Sequence, residues 1–225
     1  MTAGLSFIIP VLNEQAAIGG LLQILRQRYP ASELIVVDGG SCDQTVAIAT
    51  PLCDQLLTCK PGRATQMNLG GQMASSEYLA FLHADSSPGA SAQQLAYYLA
   101  GRPLWGFCRV RLSGERALFR LIEWFMNQRS RLTRVATGDQ MLFLRRELFA
   151  QTGGFDSIPL MEDVAYSKRL RRRGSPLVIP EPVTTSSRRW EERGPLRTIL
   201  RMWCLRLAFF VGVSPQTLWR HYYGR

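Results

Sequence analysis

Tyr78-Leu79-Ala80-Phe81-Leu82-His83-Ala84-Asp85-Ser86 opens on five mostly apolar residues, followed at once by a His, an Asp and a Ser around Ala84. The apolar run reads as a buried strand. If the chain stays extended past it, His83 and Asp85 point to the same side. Ligands of open parallel sheets bind beyond the carboxyl ends of the strands. The segment therefore proposes a polar, metal-capable site at the end of a nucleotide-binding sheet. The alternative reading is a strand that ends in an ordinary surface loop.

The flanking sequence supports a sheet. Residues 5–11 read as a first strand, and Asn13 as the cap of a helix starting near Glu14, with Ile18, Leu21, Leu22 and Leu25 on one face and Pro30 as its stop. Leu34-Ile35-Val36-Val37 is a second strand, ending in Asp38-Gly39-Gly40-Ser41. Ser41 or Asp43 can cap the helix that runs to Ala49, and residues 55–58 form a short third strand. This alternation has the length of a parallel sheet with right-handed crossovers. Residues 64–74 read as a helix in which Gly70-Gly71 permits close approach of backbone or ligand. After the central strand come a helix at 90–100 and an alternating strand at 105–112 with Arg109 and Arg111 outward. Alternation there predicts an antiparallel strand at the sheet edge. A helix at 115–128 presents Leu118, Leu121, Ile122 and Phe125 on one face. It is followed by a strand at 141–144, a short helix at 147–151 and a helix at 162–173.

From Pro195 the pattern changes. Leu196, Ile199, Leu200, Trp203, Leu207 and Val211 recur at helical spacing, Met202, Leu205, Phe209 and Phe210 make the opposite face apolar, and Arg197, Arg201 and Arg206 interrupt it. The expected organisation is a catalytic domain over residues 1–190 and an amphipathic helical extension over 191–225. That extension packs on the domain, lies at a membrane surface or forms a dimer interface.

The 225 residues allow one α/β domain with a small appendage, and 46% apolar residues supply its core. The five cysteines form no C-x-x-C pair, so no disulfide framework or thiolate zinc site is suggested and a cytoplasmic setting is the default. No signal peptide is expected: residues 7–12 are too short an apolar run and are cut by Pro10. The net charge of +10, from 27 Lys and Arg against 17 Asp and Glu, favours an anionic partner. Nucleic acid, a phosphorylated ligand and an acidic membrane all fit that charge. Zinc-finger, homeodomain and RNA-binding aromatic motifs are missing, so no nucleic acid is expected.

Acidic residues recur where strands end or helices begin: Glu14, Asp38, Asp85 and Glu162-Asp163. Asp38, before two glycines, can accept hydrogen bonds from a base or ribose, although the chain lacks both the G-x-G-x-x-G spacing and the phosphate-loop lysine. Asp85 is a hard oxygen ligand suited to Mg²⁺ or Mn²⁺ on two phosphates. His83 is a second ligand, a phosphate contact or a hydrogen-bonded residue at the strand end. Asp163, at a helix start, has its charge favoured there but can still take a proton from a hydroxyl that attacks a good leaving group. Arg63, near Lys60, and Arg188-Arg189 offer rigid forks to phosphate or carboxylate; surface solubility is the other reading of each.

Phe7-Ile8-Ile9-Pro10-Val11-Leu12-Asn13-Glu14 and Ile35-Val36-Val37-Asp38-Gly39-Gly40-Ser41 resemble the opening of family 2 glycosyltransferases, and the resemblance runs over nearly the whole chain. Leu82-His83-Ala84-Asp85 is similar to the metal-binding Asp-x-Asp motif, and Glu162-Asp163 to the acceptor-side acidic pair. Gly62-Arg63-Ala64-x-Gln66-Met67-Asn68, Gly138-Asp139-Gln140, Pro159-Leu160-Met161-Glu162-Asp163, Arg188-Arg189-Trp190-Glu191 and Gly212-Val213-Ser214-Pro215 look like a bacterial subgroup labelled arsenosugar-biosynthesis glycosyltransferase.

The resemblance implies an α/β GT-A fold, with a mixed, mainly parallel sheet between helices. It implies a nucleotide-diphosphate-sugar donor, uridine favoured, and a divalent metal, Mn²⁺ or Mg²⁺. The acceptor would be a small molecule or a lipid-linked one; the amphipathic extension adds peripheral contact with the inner face of a membrane. Pro10, Glu14, Asp38, Arg63, Ala84 and Asp85 would hold the donor, Asp85 with His83 the metal. Asp163 would be the general base of an inverting transfer, with Glu162 placing the acceptor beside Gly138, Asp139, Gln140, Arg188 and Trp190. His83 stands where the motif has its first Asp, which leaves one carboxylate for the ion. A nucleotidyltransferase or pyrophosphatase-like enzyme on the same nucleotide site is the first alternative. The second is a non-catalytic basic protein that binds nucleic acid or a membrane surface.

Overall fold

The computed structural model describes residues 4–224, without the side chains of residues 189, 192, 193 and 196, so the expected anion contact of Arg189 and the apolar position Leu196 lie outside the described residues. Its strands are β1 (Leu5–Val11), β2 (Glu33–Asp38), β3 (Gln55–Thr58), β4 (Tyr78–Phe81), β5 (Ser86–Ser87), β6 (Trp105–Leu112), β7 (Leu142–Arg145) and β8 (Leu177–Thr185). They form one sheet in the order β3-β2-β1-β4-β7-β6-β8-β5. The half from β3 to β4 is parallel. β7 runs antiparallel to β4 and to β6, and β8 lies parallel to β6.

Both faces of the sheet are covered, which is why β1, β2 and β4 are continuous apolar runs rather than alternating ones. Phe7, Ile9 and Val36 pack with α1 (Ile18–Arg28) on one side, through Leu21, Leu22 and Leu25. Ile8, Ile35 and Val37 face the other side, with Phe81, Phe149 and Tyr166. There α3 (Arg63–Met73) lies directly on the strands. A Cβ on Gly70 would stand 2.5 Å from Ile8 Cγ2, and one on Gly71 would stand 2.6 Å from the Phe149 ring. Gly70 thus admits packing of backbone on the sheet and Gly71 on the Phe149 ring, not a ligand. The remaining helices are α2 (Thr45–Ala49), α4 (Ala92–Ala100), α5 (Ala117–Thr133), α6 (Arg146–Thr152), α7 (Glu162–Leu170), α8 (Arg188–Arg193), α9 (Pro195–Phe210) and α10 (Pro215–Tyr223).

Three sequence expectations are corrected. Asn13 caps no helix: it sits at φ 55°, and its side-chain oxygen accepts from Cys42 N at 2.9 Å, tying the loop after β1 to the loop after β2. β6 alternates in its second half as expected, but it is interior, because β8 pairs with it on the side away from β7. The buried side of α5 is formed by Phe119, Ile122, Glu123 and Ser130, so Leu121 and Phe125, expected in the core, stand half exposed. On α9, Leu205 turns inward to Val135, Met161 and Val164, while Leu200, Trp203, Leu207, Phe210 and Val211 face outward.

Candidate active site

The carboxyl ends of β1 and β4 open onto a cavity of about 860 Å³. Gln66 sets its floor. Its buried amide nitrogen donates to Val11 O and Val37 O, both at 2.8 Å, and so locks the ends of β1 and β2 together. One turn earlier on α3, Arg63 reaches the cavity, and Pro10, Glu14, Ala84 and Asp85 line it. Asn68, on the same helix, grips Phe155 N and Phe155 O at 2.7 and 2.8 Å. That pins the segment 157–160, which forms another wall of the cavity. The Gly62–Asn68 motif therefore works as a unit: one residue for the cavity, one for the strand ends and one for the opposite wall.

A chamber of about 100 Å³ adjoins this cavity and shares Arg63, His83, Leu160, Glu162 and Tyr223 with it. Asp163 lines the chamber at the start of α7. Its two carboxylate oxygens accept from Gly138 N at 2.6 Å and from Val164 N at 2.7 Å, which fixes the side chain before any substrate arrives. Glu162 beside it is buried, and burial first, then the charge of Asp163, push its pKa up. Arg63 meets solvent through the cavity, yet its head group is crowded by protein. Burial works against its charge, but Glu162, Tyr223, Asp139 and Asp163 outweigh that, and its pKa is raised. Across the main cavity the pKa of Glu14 is raised by burial and by Asp85, against the pull of Arg188, Arg63 and His83.

Not every expected residue reaches the cavity wall. Asp38 is buried and turns its carboxylate into its own loop, accepting from Gly40 N at 2.9 Å, Ser41 N at 3.0 Å and Ser41 Oγ at 2.5 Å. Gln140 is fully buried; its oxygen accepts from Ser130 Oγ at 2.8 Å, and its amide nitrogen has no partner among the described residues. Gly138 has its place because a Cβ there would collide with the His83 imidazole. The charge of Arg188 acts on Glu14. Trp190 packs near Leu112, Phe119 and Ile122 and lines a separate groove, described below. His83 directs Nδ1 at Asp139 Oδ1, 3.6 Å away.

Among the described residues no group of three or more His, Cys, Asp or Glu side chains is placed to hold a metal ion. Asp85 is nevertheless exposed at the cavity, receives one long hydrogen bond from Ser86 Oγ at 3.3 Å, and acts on Glu14 as a second negative charge. Divalent ions of the Mg²⁺ type are commonly held by one or two carboxylates, substrate phosphates and water. The residues present fit that arrangement and not a cage made of protein alone.

Residues 6–153, about two thirds of the chain, match the description "Glycosyl transferase family 2". The chain belongs to glycosyl transferase family 2. It is 33% identical over 89 residues to an uncharacterized glycosyltransferase of Haemophilus influenzae, a match that covers 36% of each chain. Over 90 residues it is 39% identical to a PGL/p-HBAD biosynthesis glycosyltransferase of Mycobacterium tuberculosis, covering 36% of this chain and 35% of that one. The matched part thus spans about a third of the length of these curated relatives. S. aureus TarS (fragment 1–349) superposes with a TM-score of 0.68 at 16% identity, over 91% of this chain and 65% of that one. A mannosyltransferase of Pyrobaculum calidifontis gives 0.62 at 21%, over 81% and 56%. The fold is the GT-A-like α/β fold, a mixed sheet between helices.

Two walls of this family 2 site were not foreseen from the sequence. Trp219 and Tyr223 of α10 line the main cavity, their rings 5.4 Å apart. Their spacing of four on a helix was the available signal, but nothing local says which surface α10 meets. Arg129 and Arg206 were also missed: each is one arginine among many in the sequence, and each stands close enough to Asp139 and Asp163 to feel their charge.

Proposed function

We propose that the protein transfers a glycosyl unit from a nucleoside-diphosphate sugar, with uridine as the favoured base, to an acceptor hydroxyl, inverting the anomeric carbon. The observation that carries this reading is Asp163, a carboxylate fixed by two backbone N–H groups in the chamber beside the cavity that Asp85 lines. The acceptor hydroxyl gives its proton to Asp163 as its oxygen bonds to the anomeric carbon. The bond from that carbon to the diphosphate oxygen breaks on the opposite face, and the nucleoside diphosphate leaves with the electron pair. Arg63, held cationic by its acidic neighbours, faces the charge that develops on the leaving group. Glu162 orients the acceptor. Asp85 would hold Mn²⁺ or Mg²⁺, which would further neutralise the diphosphate. TarS has been crystallised with UDP and UDP-GlcNAc, and the Pyrobaculum mannosyltransferase with GDP-Man and Mn²⁺, which supports such a donor and ion.

The same reading makes residues 1–190 the catalytic domain and 191–225 an extension that closes the acceptor side and rests on the inner face of the cytoplasmic membrane. No helix among the described residues is long and apolar enough to cross a bilayer. The acceptor is a small molecule or a lipid-linked one. The subgroup that the motifs resemble is labelled for arsenosugar biosynthesis, and the Mycobacterium relatives are named for PGL/p-HBAD biosynthesis.

Incubation with UDP-sugars and Mn²⁺ tests the reaction: transfer and slow hydrolysis both release nucleoside diphosphate. Release of a nucleoside monophosphate together with a sugar phosphate would show a different reaction at this site. Asp163→Asn is expected to lower turnover by about 10²–10⁴-fold while UDP still binds. An Asn variant that turns over normally removes the base assigned here.

A further inference from the structure

α5 and α9 enclose a groove of about 370 Å³ that no step of the transfer has used. Its walls are apolar: Leu121, Ile122 and Phe125 from α5, Met202 and Trp203 from α9, and Trp190. Leu121, Phe125 and Trp203 are 52%, 50% and 61% exposed, an unusual loss for side chains that could have packed. The groove has one polar end, where Thr137, Asp139 and Arg206 also line the chamber of Asp163. Arg129 stands at that end as well.

The two arginines are buried close to one another at that end, with Asp139 and Asp163 nearby. Arg129 donates from Nη2 to the Ser130 hydroxyl at 2.9 Å. Burial, then repulsion from Arg206, push the Arg129 pKa down to about 9. Burial lowers that of Arg206 too, against the pull of Asp163 and Asp139. A pair of crowded guanidinium groups at the head of an apolar slot is complementary to a ligand with an anion at one end of an apolar body.

We propose that the groove binds the acceptor, and that the acceptor is an anionic amphiphile, with its apolar body along Phe125 and Trp203 and its anionic end on Arg129 and Arg206. The ligand's nucleophilic oxygen then arrives beside Asp163 through the part of the chamber that the groove shares. This assignment rests on the glycosyl transfer proposed above.

Decyl phosphate, octyl phosphate, decanol and inorganic phosphate are the probes. They are titrated below micelle concentrations against the intact chain, with tryptophan fluorescence as the readout because Trp190 and Trp203 line the groove. Decyl phosphate is expected to bind saturably, on the order of tenfold more tightly than octyl phosphate, given two further buried methylenes. It should also bind at least tenfold more tightly than decanol. Arg206→Gln should lower decyl phosphate affinity about tenfold and leave decanol affinity alone, Arg206→Lys should recover part of the loss, and Trp203→Ala should weaken both ligands. Circular dichroism checks the fold of each variant, and the comparison of the four probes on the unmodified chain needs no variant.

Inorganic phosphate binding as tightly as decyl phosphate would mean a plain anion site and overturn the amphiphile. Equal affinity for decanol and decyl phosphate would overturn the role of the arginines. UDP is titrated in parallel: UDP binding without decyl phosphate binding overturns the groove and spares the donor reading. Decyl phosphate binding without any nucleoside diphosphate binding overturns the transfer reading, and with it the groove as an acceptor site.

Discussion

Glu162 and Asp163 are neighbours in sequence with opposite surroundings. Asp163 has two backbone N–H donors, whereas Glu162 is buried with Asp163 beside it and a raised pKa. Two carboxyl groups in different environments divide the work of an active site. The shift of Glu162 also carries a stability consequence. A carboxyl group whose folded pKa exceeds its unfolded value favours the fold fully below the unfolded value, here near 4.5, and that contribution is lost as pH rises through the folded pKa. Glu162→Gln should therefore gain in Tm over the unmodified protein as pH is raised from below 4.5 to neutral. The gain reads as about 2–4 °C per kcal/mol for a chain of this size. Melting curves across that range check it, and a constant or shrinking difference would refute the assigned environment. That Glu14, Asp85, Glu162 and Asp163 line the cavity or its chamber was legible because each follows a strand or opens a helix. Asp38 was legible by the same rule, yet its carboxylate serves the turn, since the two glycines after it bring N–H groups back to it rather than to the cavity.

At the scale of elements, α3 does the most to assemble the site, and it does so with residues that are poor in a helix. Gly70 and Gly71 sacrifice helix propensity so that the backbone can lie against Ile8 and the Phe149 ring. Gly70→Ala should improve propensity by up to about 1 kcal/mol but overpack the helix–sheet contact at a cost of about 1–3 kcal/mol. Denaturant titration should show a net loss of stability; a more stable variant would mean that Ile8 and Val37 give way freely. Gln66→Leu strips Val37 O of a buried donor, at about 1–3 kcal/mol, and Val11 O of one of two, since Gly39 N still donates to it at 2.9 Å. Its distinguishing mark is weakened UDP binding beyond what the lost stability explains, because the ends of β1 and β2 are no longer held together. The parallel half of the sheet was readable because strands buried on both faces leave unbroken apolar runs. The position of β6 was not, because half-alternation is common to an edge strand and to one whose second neighbour, β8, arrives some seventy residues later. The face of α5 misled for a related reason: Leu121 and Phe125 keep core-like spacing, but α9 stands off from them and leaves a groove instead of a seam.

The molecule as a whole combines a net charge of +10 with an apolar stripe on one side. Composition disclosed the charge at once. The direction of the stripe was hidden, since α9 is apolar nearly all round and only the packing of Leu205 against Met161 and Val164 shows which side is inward. What remains outside is Leu200, Trp203, Leu207 and Phe210, at spacings of three and four, with Leu121, Trp124 and Phe125 of α5 across the groove. An outward apolar stripe on a basic protein is the pattern of a helix that lies in a membrane interface. The protein is therefore expected to sediment with phosphatidylglycerol vesicles and much less with neutral phosphatidylcholine vesicles, and to be partly released as salt is raised. Replacing Leu207 and Phe210 together by Glu should abolish most of the binding even at low salt, since both the apolar contact and the local charge are reversed. UDP binding should survive, because neither residue lines the cavities near Asp85 or Asp163. If the double variant sediments as before, the charge alone drives adsorption and the stripe faces something other than lipid. If the unmodified protein ignores anionic vesicles, the membrane contact is lost, and the groove between α5 and α9 must then be filled from solution.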